Sequence, residues 1–332
     1  MAPDPGVILD VRDLSVEFPG SGTPVTPVRG VSFTVSSRQR LGLVGESGSG
    51  KSLTALSLMG LLPHPGRIAG GQVLLEGRDL TKLSEREMSR VRGGKIALVY
   101  QDPMSSLNPV HTVGDQIVEA ICTHEDVSKG VARERAIELL GQVGLPQPAR
   151  RFGAYPHQFS GGMRQRVMIA MAISAGPDVL IADEPTTALD VTTQARIMDL
   201  LSRLVEERNM AVILITHDLG LASTFSDDVQ VMYAGRVVER SHPRELFEQP
   251  VHPYSEALLN AICRLDQDVN EPIVAVPGQP PMPAMLPSGC PFHPRCPYAF
   301  EKCEREESAP HDLGDGRMAE CHLAEQRVAA AV

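Results

Sequence analysis

Residues 7 to 18 (VILDVRDLSVEF) alternate apolar and polar side chains, the period-two pattern of a half-buried strand. Residues 31 to 35 (VSFTV) repeat it after a turn rich in glycine and proline, so an antiparallel β start is expected. LGLV (41 to 44) is apolar throughout and runs into a glycine-rich loop, behind which SLTALSLMGLL has helical spacing. Short β-rich runs follow at KIALVYQ (95 to 101), DVLIADE (178 to 184), MAVILITHD (210 to 218) and DVQVMYAGRVVE (228 to 239). Helical stretches such as 131 to 143 and 162 to 175 lie between them. Strands alternating with helices, several of them apolar on both faces, predict an α/β fold whose mostly parallel sheet is covered on both sides. The pattern fades after about residue 262. From Glu271 to Pro297 prolines recur every few residues, which forbids regular helix and central strand. Residues 1–262 are thus expected as one domain and 263–332 as a small, irregular second one.

Composition narrows the function classes. The 332 residues suit about two domains, and 42% hydrophobic with 22% charged residues is the balance of a folded soluble protein. A net charge of −10, 4% aromatics and no Trp leave no basic footprint, so no nucleic-acid partner is expected. The apolar runs are short against the roughly 20 residues of a membrane-spanning helix. MAPDPGVILD has no basic start and no apolar signal core, which predicts a cytoplasmic chain.

Gly45-Glu46-Ser47-Gly48-Ser49-Gly50-Lys51-Ser52 fits GxxxxGK[ST] between a strand and a helix. Glycines let successive N–H groups turn inward as an anion nest, Lys51 places a charge on the outer phosphates, and the Ser52 hydroxyl suits Mg²⁺. Asp183 and Glu184 end the apolar run VLIADE at the carboxyl edge of a sheet, where ligands bind. In phosphoryl transfer Asp183 would hold Mg²⁺, mainly through water, and Glu184 would orient or deprotonate the attacking water. Taken singly, paired carboxylates are as often a solvated strand cap. A lone histidine after a strand, here His217, is usually structural, and Gln101 at another strand end is unremarkable.

Together these stretches resemble the ATPase subunits of ABC transporters. The resemblance rests on GESGSGKS (45 to 52), Gln101 as the Q-loop, FSGGMRQR (159 to 166) as the signature motif, VLIADEP (179 to 185) as Walker B, ALD (188 to 190) as the D-loop and THD (216 to 218) with the switch histidine. These motifs fall in order over most of residues 10 to 240. YQDPMSSLNP (100 to 109), YPHQFSGGMRQRVMIAMAI (155 to 173), DEPTTALDVTTQA (183 to 195), HPYSEALL (252 to 259) and GCPFHPRCPYAFEKC (289 to 303) look, more narrowly, like the dipeptide and oligopeptide importer branch. Met163 stands where many ABC ATPases carry Gln and is usual in that branch.

The resemblance implies a P-loop ABC-type ATPase domain with a mostly parallel sheet core, an N-terminal antiparallel β subdomain and a helical subdomain at about 103–176, plus a small irregular C-terminal cysteine domain. It implies ATP held between Gly45, Ser47, Gly48, Ser49, Gly50, Lys51 and Ser52 of one subunit and Ser160, Gly161 and Gly162 of a second ATPase subunit, a paralogue or a copy. Phe18 would stack on adenine. Ser52, Gln101 and Asp183 would reach Mg²⁺, and Glu184, His217 and Gln101 would serve hydrolysis. The implied partners are two membrane-spanning permease subunits and, through them, an extracytoplasmic peptide-binding protein. The implied place is the cytoplasmic face of the inner membrane, peripherally attached, and the implied work is powering import of dipeptides or oligopeptides. The alternative is a related importer of nickel or another small solute. A soluble ABC protein of DNA repair or translation would need a long coiled-coil insertion or a second cassette. A non-catalytic module would show a degraded phosphate loop or no Glu184.

Four of the six cysteines, Cys290, Cys296, Cys303 and Cys321, fall near the C-terminus, with five, six and seventeen residues between them. Structural zinc favours closer Cys pairs, a cytoplasmic chain disfavours disulfides, and four thiolates can hold an iron–sulfur cluster. Spacing leaves cluster, zinc and free thiols open. The resemblance implies a [4Fe–4S] cluster on those four, with His293, His311 and His322 as bystanders. Cys122 and Cys263 receive no role.

Overall fold

The computed structural model describes residues 6–20, 22–187, 189–262, 276–324 and 326–327. Ala188, Cys263 and Pro272 lie outside the described residues. The strands in chain order are β1 (Val7–Phe18), β2 (Val25–Ser36), β3 (Arg40–Val44), β4 (Arg67–Leu75), β5 (Arg78–Asp79) and β6 (Ile96–Val99). They continue with β7 (Val179–Asp183), β8 (Ala211–Thr216), β9 (Asp228–Tyr233), β10 (Arg236–Ser241), β11 (His311–Gly314) and β12 (Arg317–Ala319). The helices are α1 (Lys51–Leu58), α2 (Glu85–Val91), α3 (Pro103–Ser106), α4 (Val113–His124), α5 (Lys129–Gln142) and α6 (Pro148–Arg151). After them come α7 (Gly161–Ala172), α8 (Val191–Arg208), α9 (Leu219–Phe225), α10 (Pro243–Glu248), α11 (Pro253–Asn260) and α12 (Glu301–Arg305).

Contacts divide the chain into two compact units: Met1–Leu9, Thr34–Arg40 and Leu74–Ile215 form one, and Asp10–Phe33, Leu41–Val73 and Thr216–Val332 the other. In the first, β6, β7 and β8 run parallel, with Ile96 beside Val179 and Asp183 beside Ile215. Every residue of β7 and β8 is buried, which is why these runs are apolar without alternation. The longer helices here begin on side-chain caps. Ser84 and Glu87 form a capping box on α2, and Thr112, Ser128 and Asp190 accept from the first turns of α4, α5 and α8.

In the second unit, β3 lies parallel to β9 with Val44 beside Val231. The run at residues 228 to 239, a single β-rich stretch by pattern, is an antiparallel hairpin of β9 and β10. Ala234 and Gly235 both have positive φ, 48° and 84°, the backbone of a tight primed turn. Strands β1, β2 and β4 belong to an antiparallel sheet in the order β2-β1-β4.

The proline-rich segment behaves as its composition predicts as far as Pro297, where the described residues hold regular structure only in a 3-10 turn at His293–Arg295. Beyond it the chain does something the pattern does not show: β12 pairs antiparallel with β10, Glu239 beside Ala319, and β11 pairs with β12. The C-terminal segment also shares the second unit's core. Phe292 is 1% exposed and packs with Val44, Val231, Tyr233 and Tyr254. Apolar side chains too sparse for a core of their own are buried in one already supplied by β3 and β9.

Candidate nucleotide site

The loop after β3 turns where only glycine fits. Gly45 has φ +155°, and a Cβ there would stand 2.2 Å from the Met232 carbonyl oxygen. Gly50 has φ +103°, and its Cβ would meet the Pro27 carbonyl oxygen at 2.7 Å. The loop therefore lies directly on neighbouring backbone. The Gly235 N–H donates to the Ser49 carbonyl at 3.0 Å, so the β9–β10 turn supports it from below. Ser47 and Gly48 are exposed at the rim, while Ser49 and Lys51 are buried. Lys51 Nζ bends back to donate to the Gly45 and Glu46 carbonyls at 2.7 and 2.9 Å and to Ser49 Oγ at 3.3 Å. α1 follows at once, with Ser52 exposed on its first turn, so the loop opens onto a helix N-terminus suited to an anion. Phe18, at the end of β1, is half-buried with its ring against Gly66, where a Cβ would stand 2.6 Å away.

In the first unit, Asp183 is buried at the end of β7 and Glu184 is the next residue. Glu184 has φ +47°, left-handed for a residue with a side chain, and its N–H donates to the Ile215 carbonyl at 2.8 Å. Gln101 Nε2 and Thr187 Oγ1 both donate to Glu184 Oε2 at 2.8 Å. The structure thus joins Gln101 and Glu184, which lie far apart in sequence. Thr187 is an addition that spacing gave no reason to select.

The signature segment is also built. Ser160 caps α7 by accepting from the Met163 N–H at 3.4 Å, which leaves its own O–H proton to donate elsewhere. Gly161 is exposed and Gly162 buried. A Cβ on Gly162 would stand 2.3 Å from Thr193 Cγ2, and Thr193 is fixed by Asp190, whose carboxylate accepts from its N–H at 2.9 Å and its Oγ1 at 2.7 Å. Glycine is required because the start of α8 occupies the space. His217 sits exposed in the second unit, just past β8, beside Asp218, which caps α9.

A model of the family described as "ABC transporter" matches residues 28–187, and one described as "Oligopeptide/dipeptide transporter, C-terminal region" matches 238–303. The dipeptide transport ATP-binding protein DppD of Escherichia coli is 49% identical over 315 residues, covering 95% of this chain and 96% of that protein. The chain belongs to the ABC transporter family. The oligopeptide transport ATP-binding protein OppD of Salmonella typhimurium is 50% identical over 323 residues, 96% of this chain and 95% of that protein. Among solved structures, the dimeric post-hydrolysis ATP-binding cassette MJ0796 with ADP and Pi matches 71% of this chain and 99% of its own, at 28% identity and a TM-score of 0.64. As an ABC ATPase the chain binds and hydrolyses ATP. Among the described residues no helix is long and apolar enough to cross a membrane.

The cysteine segment departs from a ready-made metal site. Cys303 is buried and Cys290, Cys296 and Cys321 are half-buried. Burial pushes the Cys290 thiol up to about 11, with Cys303, Cys321 and Cys296 adding to the rise, and burial likewise raises Cys296 and Cys321. The four thiols are therefore within electrostatic reach of one another. Even so, among the described residues no three or more His, Cys, Asp or Glu side chains converge closely enough to hold a metal ion. Cys290 and Cys296 pack against the Tyr233–Tyr254–Phe292 core and Cys321 against Val251, Ala319 and Ala324, as small apolar groups.

Proposed function

We propose that this ATPase powers a membrane importer of dipeptides or oligopeptides. The similarity to named dipeptide and oligopeptide transport subunits, which extends through the C-terminal region, supports the cargo class. The phosphate loop with Lys51 folded along it is the observation that carries the ATP-driven part. In this reading Gly45, Ser47, Gly48, Ser49, Gly50 and Lys51 cradle the phosphates, Ser52, Asp183 and Gln101 serve Mg²⁺, and Phe18 stacks on adenine. Glu184 orients or deprotonates the attacking water, Gln101 positions Glu184, and His217 contacts the terminal phosphate.

A second ATPase subunit, a copy or a paralogue, completes each site with its own Ser160, Gly161 and Gly162; the dimeric state of the MJ0796 cassette supports that assembly. ATP closes the pair, hydrolysis reopens it, and the motion passes to two permease subunits at the inner face of the membrane, which receive cargo from an extracytoplasmic binding protein. Residues 1–262, with a helical subdomain at about 103–176, carry the ATPase, and 263–332 carry the four clustered cysteines Cys290, Cys296, Cys303 and Cys321.

We also assign a [4Fe–4S] cluster to Cys290, Cys296, Cys303 and Cys321. Four grouped thiols, Cys303 buried and the other three half-buried, are the donor set such a cluster takes. Protein purified without oxygen should carry iron and acid-labile sulfide. Stoichiometric zinc without either would reject the cluster.

Reconstitution with the permease subunits and binding protein tests the transport reading. Peptides should stimulate ATP hydrolysis. Stimulation by nickel salts and not by peptides would favour the nickel-importer alternative.

A further inference from the structure

Glu46, second residue of the phosphate loop, and Arg295, which precedes Cys296, are 249 positions apart and meet in a two-pronged ion pair. Arg295 Nη1 donates to Oε2 at 2.6 Å and Nη2 to Oε1 at 2.9 Å. The Arg295 side chain is only 4% exposed, and so enclosed a guanidinium is stable only when matched. Its Nε donates to the Pro277 carbonyl at 2.7 Å, and Nη1 approaches the Tyr233 hydroxyl at 3.3 Å, so the fork is aimed by the C-terminal segment and β9 together.

Glu46 is held at three points. Its N–H donates to the Tyr254 hydroxyl at 2.8 Å, its carbonyl accepts from Lys51 Nζ at 2.9 Å, and its carboxylate takes the Arg295 fork. The backbone that receives Lys51 is thus fixed from the side by a residue that belongs to none of the phosphate-binding motifs. The same fork neutralises a carboxylate that would otherwise repel an anion at this loop.

We propose that Arg295 is a positioning residue for the phosphate loop, through which the cysteine-bearing C-terminal segment sets nucleotide affinity. The proposal rests on reading Gly45–Ser52 as the ATP loop. Loss of a charge-assisted pair should weaken ATP binding roughly tenfold or more. Because Arg295 acts through Glu46 and not on the reacting atoms, the Michaelis constant should rise while turnover at saturating ATP stays within about twofold.

The full-length chain is titrated with ATP as wild type, Arg295→Lys, Glu46→Gln, the Arg295→Lys/Glu46→Gln pair and Lys51→Ala, each checked for folding by thermal melt. Glu46→Gln keeps side-chain volume at a part-exposed position, so it carries the test if the Arg295 variant does not fold. Both single variants should bind ATP more weakly, and the pair no more weakly than the worse single. Wild-type affinity in folded Glu46→Gln and Arg295→Lys, with binding abolished by Lys51→Ala, would overturn the positioning role alone. Unchanged binding in Lys51→Ala would overturn the ATP-loop reading and the proposal with it.

Discussion

Gln101 donates to the carboxylate of Glu184 at 2.8 Å, and Glu184 receives it from a left-handed backbone with φ +47°. Such a conformation costs on the order of 1 kcal/mol or more and persists only where its surroundings hold it. Here the Ile215 carbonyl takes the Glu184 N–H while Thr187 and Gln101 pin the carboxylate. Glu184→Gln keeps an oxygen for both donors but cannot accept a proton. Phosphate release should fall roughly 10²- to 10⁴-fold with ATP still bound at equilibrium. Near-normal turnover would remove Glu184 as the base.

Gly162→Ala pits helix propensity against sterics. Alanine gains about 1 kcal/mol in a helix, but its Cβ would stand 2.3 Å from a Thr193 methyl that Asp190 holds in place. Overpacking of this kind costs about 1–3 kcal/mol, so the variant should melt lower than wild type. Thr193→Ser deletes the offending methyl and keeps the hydroxyl for Asp190, and combined with Gly162→Ala it should restore most of the loss. A double variant no better than Gly162→Ala would show that the clash is not the cause.

His252 gives the fold a pH dependence of definite sign. Burial lowers it from 6.5 to about 3, so the folded state resists its protonation. The stability it contributes is complete above about pH 6.5 and drains as pH falls toward 3, at about 1.4 kcal/mol per pH unit. His252 Nδ1 also accepts the Tyr254 N–H at the start of α11. Asparagine can serve as that cap without titrating, so His252→Asn should flatten stability between pH 6.5 and 5 relative to wild type. Buried Glu239, whose carboxyl is raised mainly by desolvation, has the opposite slope but is common to both proteins and cancels in the comparison. Parallel pH profiles would exclude His252 as the group.

Phe292→Ala should cost about 3–5 kcal/mol, the usual loss for a buried aromatic ring. Its ring stands 5.2 Å from Tyr233 and 5.4 Å from Tyr254, in the core that also receives Val44. Phe300→Ala, at a position 40% exposed, is the control and should stay within about 1 kcal/mol in urea midpoints. Equal shifts in the two would mean that the C-terminal segment packs on this core without supporting it.

Much of the fold is legible from local pattern. Apolar runs mark β3, β7 and β8, alternation marks β1, and the helical spacing around residues 131 to 143 falls on α5. The β9–β10 hairpin is masked in the pattern, because Ala234 and Gly235 interrupt an otherwise continuous β-rich run without proline or asparagine to mark a turn. β11 and β12 leave no signature in the pattern. They are short, and β12 exists because it finds the edge of β10, over 70 residues earlier in the chain.

The chemistry is legible in local spacing, since a phosphate loop needs glycines, a lysine and a hydroxyl at fixed offsets along a single strand–loop–helix. Those requirements are local, so spacing displays them. What holds that chemistry in place is tertiary: Arg295 on Glu46, Thr193 against Gly162, Gln101 on Glu184. Each depends on burial and distance between residues remote in sequence, and no periodicity links a carboxylate in a glycine loop to an arginine between prolines and cysteines. The pairing arises because an enclosed guanidinium must find a carboxylate, and folding brings Glu46 within its reach.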